Sequence, residues 1–151
     1  MTGNGSIELN GPIEHVFHKL MDPEVLTECI MGCKSMELVG ERKYRADLSV
    51  GIAAVKGKYD AYITVEEVQA PHHFKLVVHG EGGPGYVDAE GIIDLTPLDE
   101  SKTQLTYTYQ AEVGGKVAAI GQRMLGGVAK LLIGDFFKKI KKNLERGQQI
   151  A

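Results

Sequence analysis

The chain has 151 residues, 43% hydrophobic and 25% charged, with 19 glycines, two cysteines and no tryptophan. The length sets a single domain, 1–151, and the ordinary apolar and charged fractions exclude a disordered chain or a coiled coil. A net charge of −3 argues against a nucleic-acid binder, which is normally basic, and no uncharged run approaches the roughly 18 residues that a spanning helix needs.

The start, MTGNGSIELN, has no apolar stretch of signal-peptide length, and two cysteines cannot build a disulfide framework. A cytoplasmic location is therefore expected. A short strand is predicted around Ile7–Leu9. Pro12 then suits the first turn of a helix, where its missing N–H costs nothing, and Val16, Phe17, Leu20 and Met21 give that helix an apolar side. Asp22 reads as the N-cap of a second short helix with Pro23 at its first position, ending near Gly32. A strand around Met36–Val39 follows.

From there the pattern has period two. Tyr44, Ala46, Leu48, Val50 and Ile52 alternate with polar residues. After a turn at Lys56-Gly57 come Tyr59, Ala61, Ile63 and Val65, and after Pro71 come Phe74, Leu76 and Val78. A turn over Gly80–Gly85 leads to Val87, Ala89, Gly91, Ile93 and Leu95. A second turn, over Pro97–Ser101, leads to Leu105, Tyr107, Tyr109, Ala111 and Val113. Such alternation means strands with one dry face, and short turns make neighbours antiparallel.

One long helix is predicted from Lys116 to about Arg146, with Ile120, Met124, Val128, Leu132, Phe136, Ile140 and Leu144 recurring along it, roughly 45 Å in all. Its first part, Val117 to Ile133, is apolar or small nearly all round, with Arg123 and Lys130 as exceptions. Its end is basic. From Lys130 onward six Lys/Arg face Asp135 and Glu145 for a net +4, so the first 129 residues carry −7. A solvated helix face accounts for those lysines, and an anionic membrane surface is the second reading.

Seven strands about 4.8 Å apart make a sheet roughly 29 Å wide, too wide for one helix about 10 Å across to cover while flat. The predicted fold is therefore α+β: a curved seven-stranded antiparallel sheet around a long C-terminal helix, with two short helices after the first strand. Its inward face is small at Ala46, Ala61, Ala89, Gly91 and Ala111, which leaves room for a cavity. Four of six tyrosines, Tyr44, Tyr59, Tyr107 and Tyr109, share that face as polar handles. The candidate ligand-binding set is Tyr44, Leu48, Ile52, Tyr59, Ala61, Ile63, Leu76, Val78, Ala89, Gly91, Tyr107, Tyr109, Val117, Ile120, Met124, Leu125 and Val128. Four glycines inside the long helix, Gly121, Gly126, Gly127 and Gly134, each cost about 1 kcal/mol relative to Ala and point to a need for space or close approach.

Other chemistry is poorly supported. Gly80-Glu81-Gly82-Gly83-Pro84-Gly85 matches GxGxxG, but a strand follows it where a phosphate site needs a helix. Gly51–Lys58 is one residue too long for a phosphate loop, and Tyr59 stands where Ser or Thr is needed. Cys29 and Cys33 lack the second ligand pair that a zinc site requires. No Asp, Glu or His falls on the inward face to act as acid or base. His15, His18 and His79 are the residues that would revive a catalytic reading if they faced the cavity between sheet and helix. No cofactor, metal or catalytic residue is assigned.

Asp22-Pro23-Glu24-Val25-Leu26, followed by Cys29-Ile30-Met31-Gly32-Cys33, resembles the DPEVL…CIPGC segment of the CoxG family, named for the CoxG subunit of carbon monoxide dehydrogenase, within the START-like helix-grip superfamily. The resemblance runs through Gly57 and Tyr59, Gly80–Gly91, Thr103–Tyr107 and Gly114–Gly121 to Phe136-Phe137, with Met31 departing from the family's proline. It implies a sheet gripping the helix around an apolar cavity and a lipid- or quinone-like hydrophobic ligand. It also implies association with a CO dehydrogenase-type molybdenum hydroxylase at the inner membrane face. It implies no catalytic residues. A structural adaptor docking an enzyme to the membrane is the second reading, and a cyclase- or hydrolase-like enzyme the third.

Overall fold

The computed structural model describes residues 1–150, with side chains through Arg146; Ala151, the end of the expected 1–151 unit, lies outside the described residues. The chain runs β1 (Thr2–Asn10), α1 (Ile13–Met21), α2 (Pro23–Cys29), β2 (Cys33–Gly40), β3 (Lys43–Val50), β4 (Gly57–Gln69), β5 (His73–Gly82), β6 (Gly85–Asp99), β7 (Lys102–Gly114) and α3 (Gln122–Ile150). Short 3-10 turns at Ala53–Val55 and Gly115–Ile120 precede β4 and α3. The strands form one curved antiparallel sheet in the order β1-β7-β6-β5-β4-β3-β2. Helices α1 and α2 carry the chain from one free edge of the sheet to the other.

The expected α+β architecture is the one observed, and its local signals act as read. The Asp22 carboxylate accepts from Glu24 N–H at 3.0 Å, satisfying a donor that the first turn of α2 leaves open. Directly opposed residues in adjacent strands share a face, so the inward side can be followed in rows across the sheet. Ile7, Leu105 and Leu95 make one row, and Tyr107, Ile93 and Phe74 the next. Then come Tyr109, Gly91, Leu76 and Val65, and after them Ala111, Ala89, Val78, Ile63 and Tyr44. Gly80, Ala61 and Ala46 lie one row further. The rows are bulky near α1 and α2 and shrink toward the middle of the sheet.

Several boundaries differ from expectation, each for a physical reason. The long helix begins at Gln122 instead of Lys116, because Gly121 (φ +91°, ψ 153°) takes a conformation no helix contains. Val117 and Ile120 therefore sit in the 3-10 turn. The alternation of β3 stops at Val50, and Ile52 instead opens a 3-10 turn by accepting from Val55 N–H at 3.0 Å. Helix α2 ends at Cys29, three residues before Gly32, which turns at φ +78° and accepts from Ser49 N–H at 2.8 Å. Strand β1 is longer than predicted, since pairing with β7 from Thr2 onward overrides its glycine-rich sequence. The strands also run into both predicted turns, leaving Gly83-Pro84 and Glu100-Ser101 as the links.

The packed interior has separate parts. One cluster joins Leu9, Val16, Val25, Cys29, Leu95 and Leu105 to Phe137, Ile140 and Leu144 of α3. A second, around Tyr44, Val65 and Phe74, shares Phe17, Leu20 and Ile93 with the first. A third gathers Val55, Val117 and Leu125 with Val50, Ile52, Val113, Ile120 and Val128 at the opposite end, and shares no residue with the others. The inward residues between them, Ala46, Ala61, Val78, Ala89, Gly91, Tyr109 and Ala111, belong to no cluster.

Candidate functional site

Beside this interruption lies a cleft of about 780 Å³, between the β1–β7 edge of the sheet and the first half of α3. One wall is Ile7, Tyr107 and Tyr109, with Gly3 beside them and Thr2, Asn4 and Ser6 at the rim. The other is the α3 face carrying Gly126, Gly127, Ile133, Gly134 and Phe137. Arg123, Lys130, Lys138 and Lys141 complete that helical wall, and among the described residues no carboxylate lines the cleft.

The tyrosine wall follows from strand pairing. Tyr107 lies opposite Gly5 and Tyr109 opposite Gly3. Each ring covers its glycine so closely that a Cβ there would overlap it. The ring thus occupies space that a cross-strand side chain normally fills. Tyr107 also packs on Phe137 with ring centroids 5.4 Å apart, tying the strand wall to the helix wall. Gly121 falls just before α3 and not inside it, and a Cβ added there, or at Gly126, Gly127 or Gly134 on α3, would meet nothing within 4 Å. Open space, not close approach, accompanies these glycines, and three of the four line the cleft.

Of the sequence-derived set, Tyr107 and Tyr109 lie on the cleft. Tyr44 is buried against Val65 and Phe74, and its hydroxyl donates to Met21 O at 2.6 Å. The Tyr59 hydroxyl donates to Val55 O at 2.6 Å. Both hydroxyls have backbone partners, Tyr44 in the core and Tyr59 half-buried, and loss of solvent raises the pKa of each, with Asp22 adding to the effect at Tyr44. Ile63 and Leu76 pack around Tyr44, while Ile52, Val117, Ile120, Leu125 and Val128 build the third cluster. Leu48, Ala61, Val78, Ala89 and Gly91 lie along the inward strand face. Met124 is the correction: it is 57% exposed, outside both the cleft and the third cluster. Phe137, Ile133 and the four cations were missed as site residues. For the cations, spacing on the stripe of Gly127 and Gly134 was the available signal, whereas Ile133 and Phe137 lie to one side of it.

The nucleophiles and bases fall elsewhere. Cys29 is buried and its thiol is pushed up to about 11, chiefly by loss of solvent and secondly by Glu28. A thiol held protonated is a poor nucleophile and metal ligand. Cys33 is raised as well, again mainly by burial. Among the described residues no three His, Cys, Asp or Glu side chains gather as a metal site. His79 is held on Asp88 at 2.6 Å, a hydrogen bond that raises its pKa. It does not line the cleft, and neither does His15 or His18. No described helix is long and apolar enough to cross a membrane.

Comparison with known proteins agrees with this architecture. The model of the CoxG family, described by the CoxG subunit of carbon monoxide dehydrogenase, matches residues 5–145. A crystal structure of a conserved protein from Geobacillus kaustophilus is 70% identical, with TM-score 0.93 over 97% of this chain and 96% of its own. A START superfamily protein from Mycobacterium smegmatis shares 14% identity, with TM-score 0.76 over 96% of this chain and 97% of its own. A protein from Thermus thermophilus shares 13%, with TM-score 0.73 over 97% and 99%. These last two show the START-like fold alone. Among curated proteins no relative matches.

Proposed function

Because the chain belongs to the CoxG family of carbon monoxide dehydrogenase subunits, we propose that it binds a hydrophobic small molecule between its sheet and the first half of α3. The ligand is lipid- or quinone-like, and the protein holds it without transforming it. It does so in association with a CO dehydrogenase-type molybdenum hydroxylase at the membrane. The observation that carries this reading is the open space at Gly126, Gly127 and Gly134. A helix gives up stability at each glycine, and here all three border a cleft whose facing wall offers Ile7, Tyr107 and Tyr109. A concave, mainly apolar site with a few polar groups is the ordinary form of a small-molecule pocket.

The test is organic extraction of the purified protein followed by mass spectrometry. A lipid-soluble molecule in stoichiometric amount is the expected result. A protein that yields none, and that takes up neither quinones nor fatty acids when offered them, overturns the reading.

A second reading, an adaptor at an anionic bilayer, is favoured by Met124 and Leu131. They are 57% and 52% exposed and lie seven residues apart on α3, where two turns place them on one side. Exposed apolar side chains beside lysines are how interfacial helices meet anionic lipid. Flotation with anionic liposomes should show binding that weakens with salt; absence of flotation, or binding indifferent to salt, removes it.

A further inference from the structure

We propose that, of the lipid- and quinone-like classes named above, the cleft takes the lipid-like one: an amphiphile with an anionic head, a carboxylate or a phosphate, and not a neutral quinone. The inference rests on the hydrophobic-ligand reading above and specifies the chemistry of that ligand's polar end.

The cations on the helical wall are Arg123, Lys130, Lys138 and Lys141. At 100° per residue Arg123, Lys130 and Lys141 fall on one narrow stripe of α3, which also contains Gly127 and Gly134, and Lys138 flanks it. The stripe therefore alternates charge and gap: Arg123, Gly127, Lys130, Gly134, then Lys138 and Lys141. It is about 27 Å long at 1.5 Å per residue.

None of the four cations forms an ion pair among the described residues. Lys139, on another side of the same helix, lies 2.9 Å from Asp135, and Arg146 pairs with Glu28. The contrast does not come from a basic protein, since the chain carries −3 overall. Like charges on successive turns of a helix destabilise it. Here they stand along a wall whose inner lining is Tyr107, Phe137 and Ile133. An apolar lining edged by uncompensated donors suits a molecule with an apolar body and an anionic end, because charge-assisted hydrogen bonds to a carboxylate or phosphate are roughly twice as strong as neutral ones.

The experiment compares four probes on the intact protein by isothermal titration: dodecyl phosphate and laurate as monomers, dodecanol of the same chain length, and inorganic phosphate. The two anionic amphiphiles are expected to bind one per chain, at least about tenfold tighter than dodecanol, a difference of about 1.4 kcal/mol. Inorganic phosphate should bind at least tenfold more weakly than either. The preference should shrink when ionic strength rises from about 0.01 M to about 0.15 M, where the screening length falls from about 30 Å to about 8 Å. Arg123→Gln with Lys130→Gln should erase the preference while dodecanol binding persists. Lys139→Gln with Lys142→Gln, an equal change in charge, should leave it intact.

Dodecanol binding as tightly as the anions overturns the inference but leaves the hydrophobic-ligand reading standing. Equal loss in both double variants also overturns it, since net charge then accounts for the effect. Inorganic phosphate matching the amphiphiles overturns the apolar half. Failure of all four probes overturns the inference, while the hydrophobic-ligand reading then stands or falls on organic extraction and on uptake of quinones.

Discussion

The two halves of α3 are built to different rules. From Phe137 onward the helix contributes one packed side: Ile140 is 0% and Leu144 1% exposed, locked between α2 and the β1–β7 edge. Asn143 and Arg146 reach Glu28 on α2, and Glu145 accepts from Asn10 on β1 at 3.2 Å. From Gln122 to Gly134 the same helix packs where Leu125 and Val128 meet the third cluster and, near the end of that stretch, where Ile133 rests on the first. It has open space at its glycines and leaves Met124 and Leu131 to solvent. Local helix propensity does not explain the split, since the loosely packed half carries three of the helix's four glycines. One half anchors the helix to the fold, which frees the other half to stand off from the sheet.

Breaking the anchor should have the largest effect. Ile140→Ala removes a fully buried side chain and is expected to cost about 2–5 kcal/mol, read as a lower urea midpoint. A change well under 1 kcal/mol would mean that this end is not the clamp. Filling the open half should act on binding and not on folding: a Cβ added at Gly127 meets no atom within 4 Å, so Gly127→Leu should fold normally yet bind a hydrophobic probe at least about tenfold more weakly. Removing one polar tie, Tyr44→Phe, should cost about 1 kcal/mol, because Met21 O loses its donor. Gly126→Ala should go the other way, gaining up to about 1 kcal/mol.

Cys29 supplies the pH test of the anchored end. The unfolded thiol ionises near its ordinary value of 9.0, while burial holds the folded one up to about 11. Stability should therefore be intact below pH 9.0 and fall as pH climbs from there toward about 11. Scanning the unfolding midpoint across that window checks it, and a flat profile would place Cys29 in water.

Alternation along Tyr44–Val50, Tyr59–Val65 and Val87–Leu95 made the sheet legible, because a period of two has one structural meaning. Asp22-Pro23 marked a helix start for an equally local reason. The entry to α3 was hidden, since Gly121 in sequence does not reveal the backbone angle it adopts. The first half of strand β1, before the predicted Ile7–Leu9, was hidden too, its order coming from pairing with β7 about a hundred residues away in sequence. The helical glycines exposed part of the site through their cost. The misplacement of Met124 has a plain cause: where a helix is apolar nearly all round, periodicity cannot choose a side. Arg123 and Lys130 read as exceptions to an apolar stretch until the structure set them beside Lys138 and Lys141 on one wall.

The rings of Tyr107 and Tyr109 rest on Gly5 and Gly3, strand positions with no side chain to hold them off. Any substitution at those two glycines must evict a ring, and the open side available to it is the cleft. The width of the binding space is thus gauged from behind, by two positions whose side chains do not exist. Relatives with Ala or Ser there should take slimmer ligands, with every wall residue unchanged.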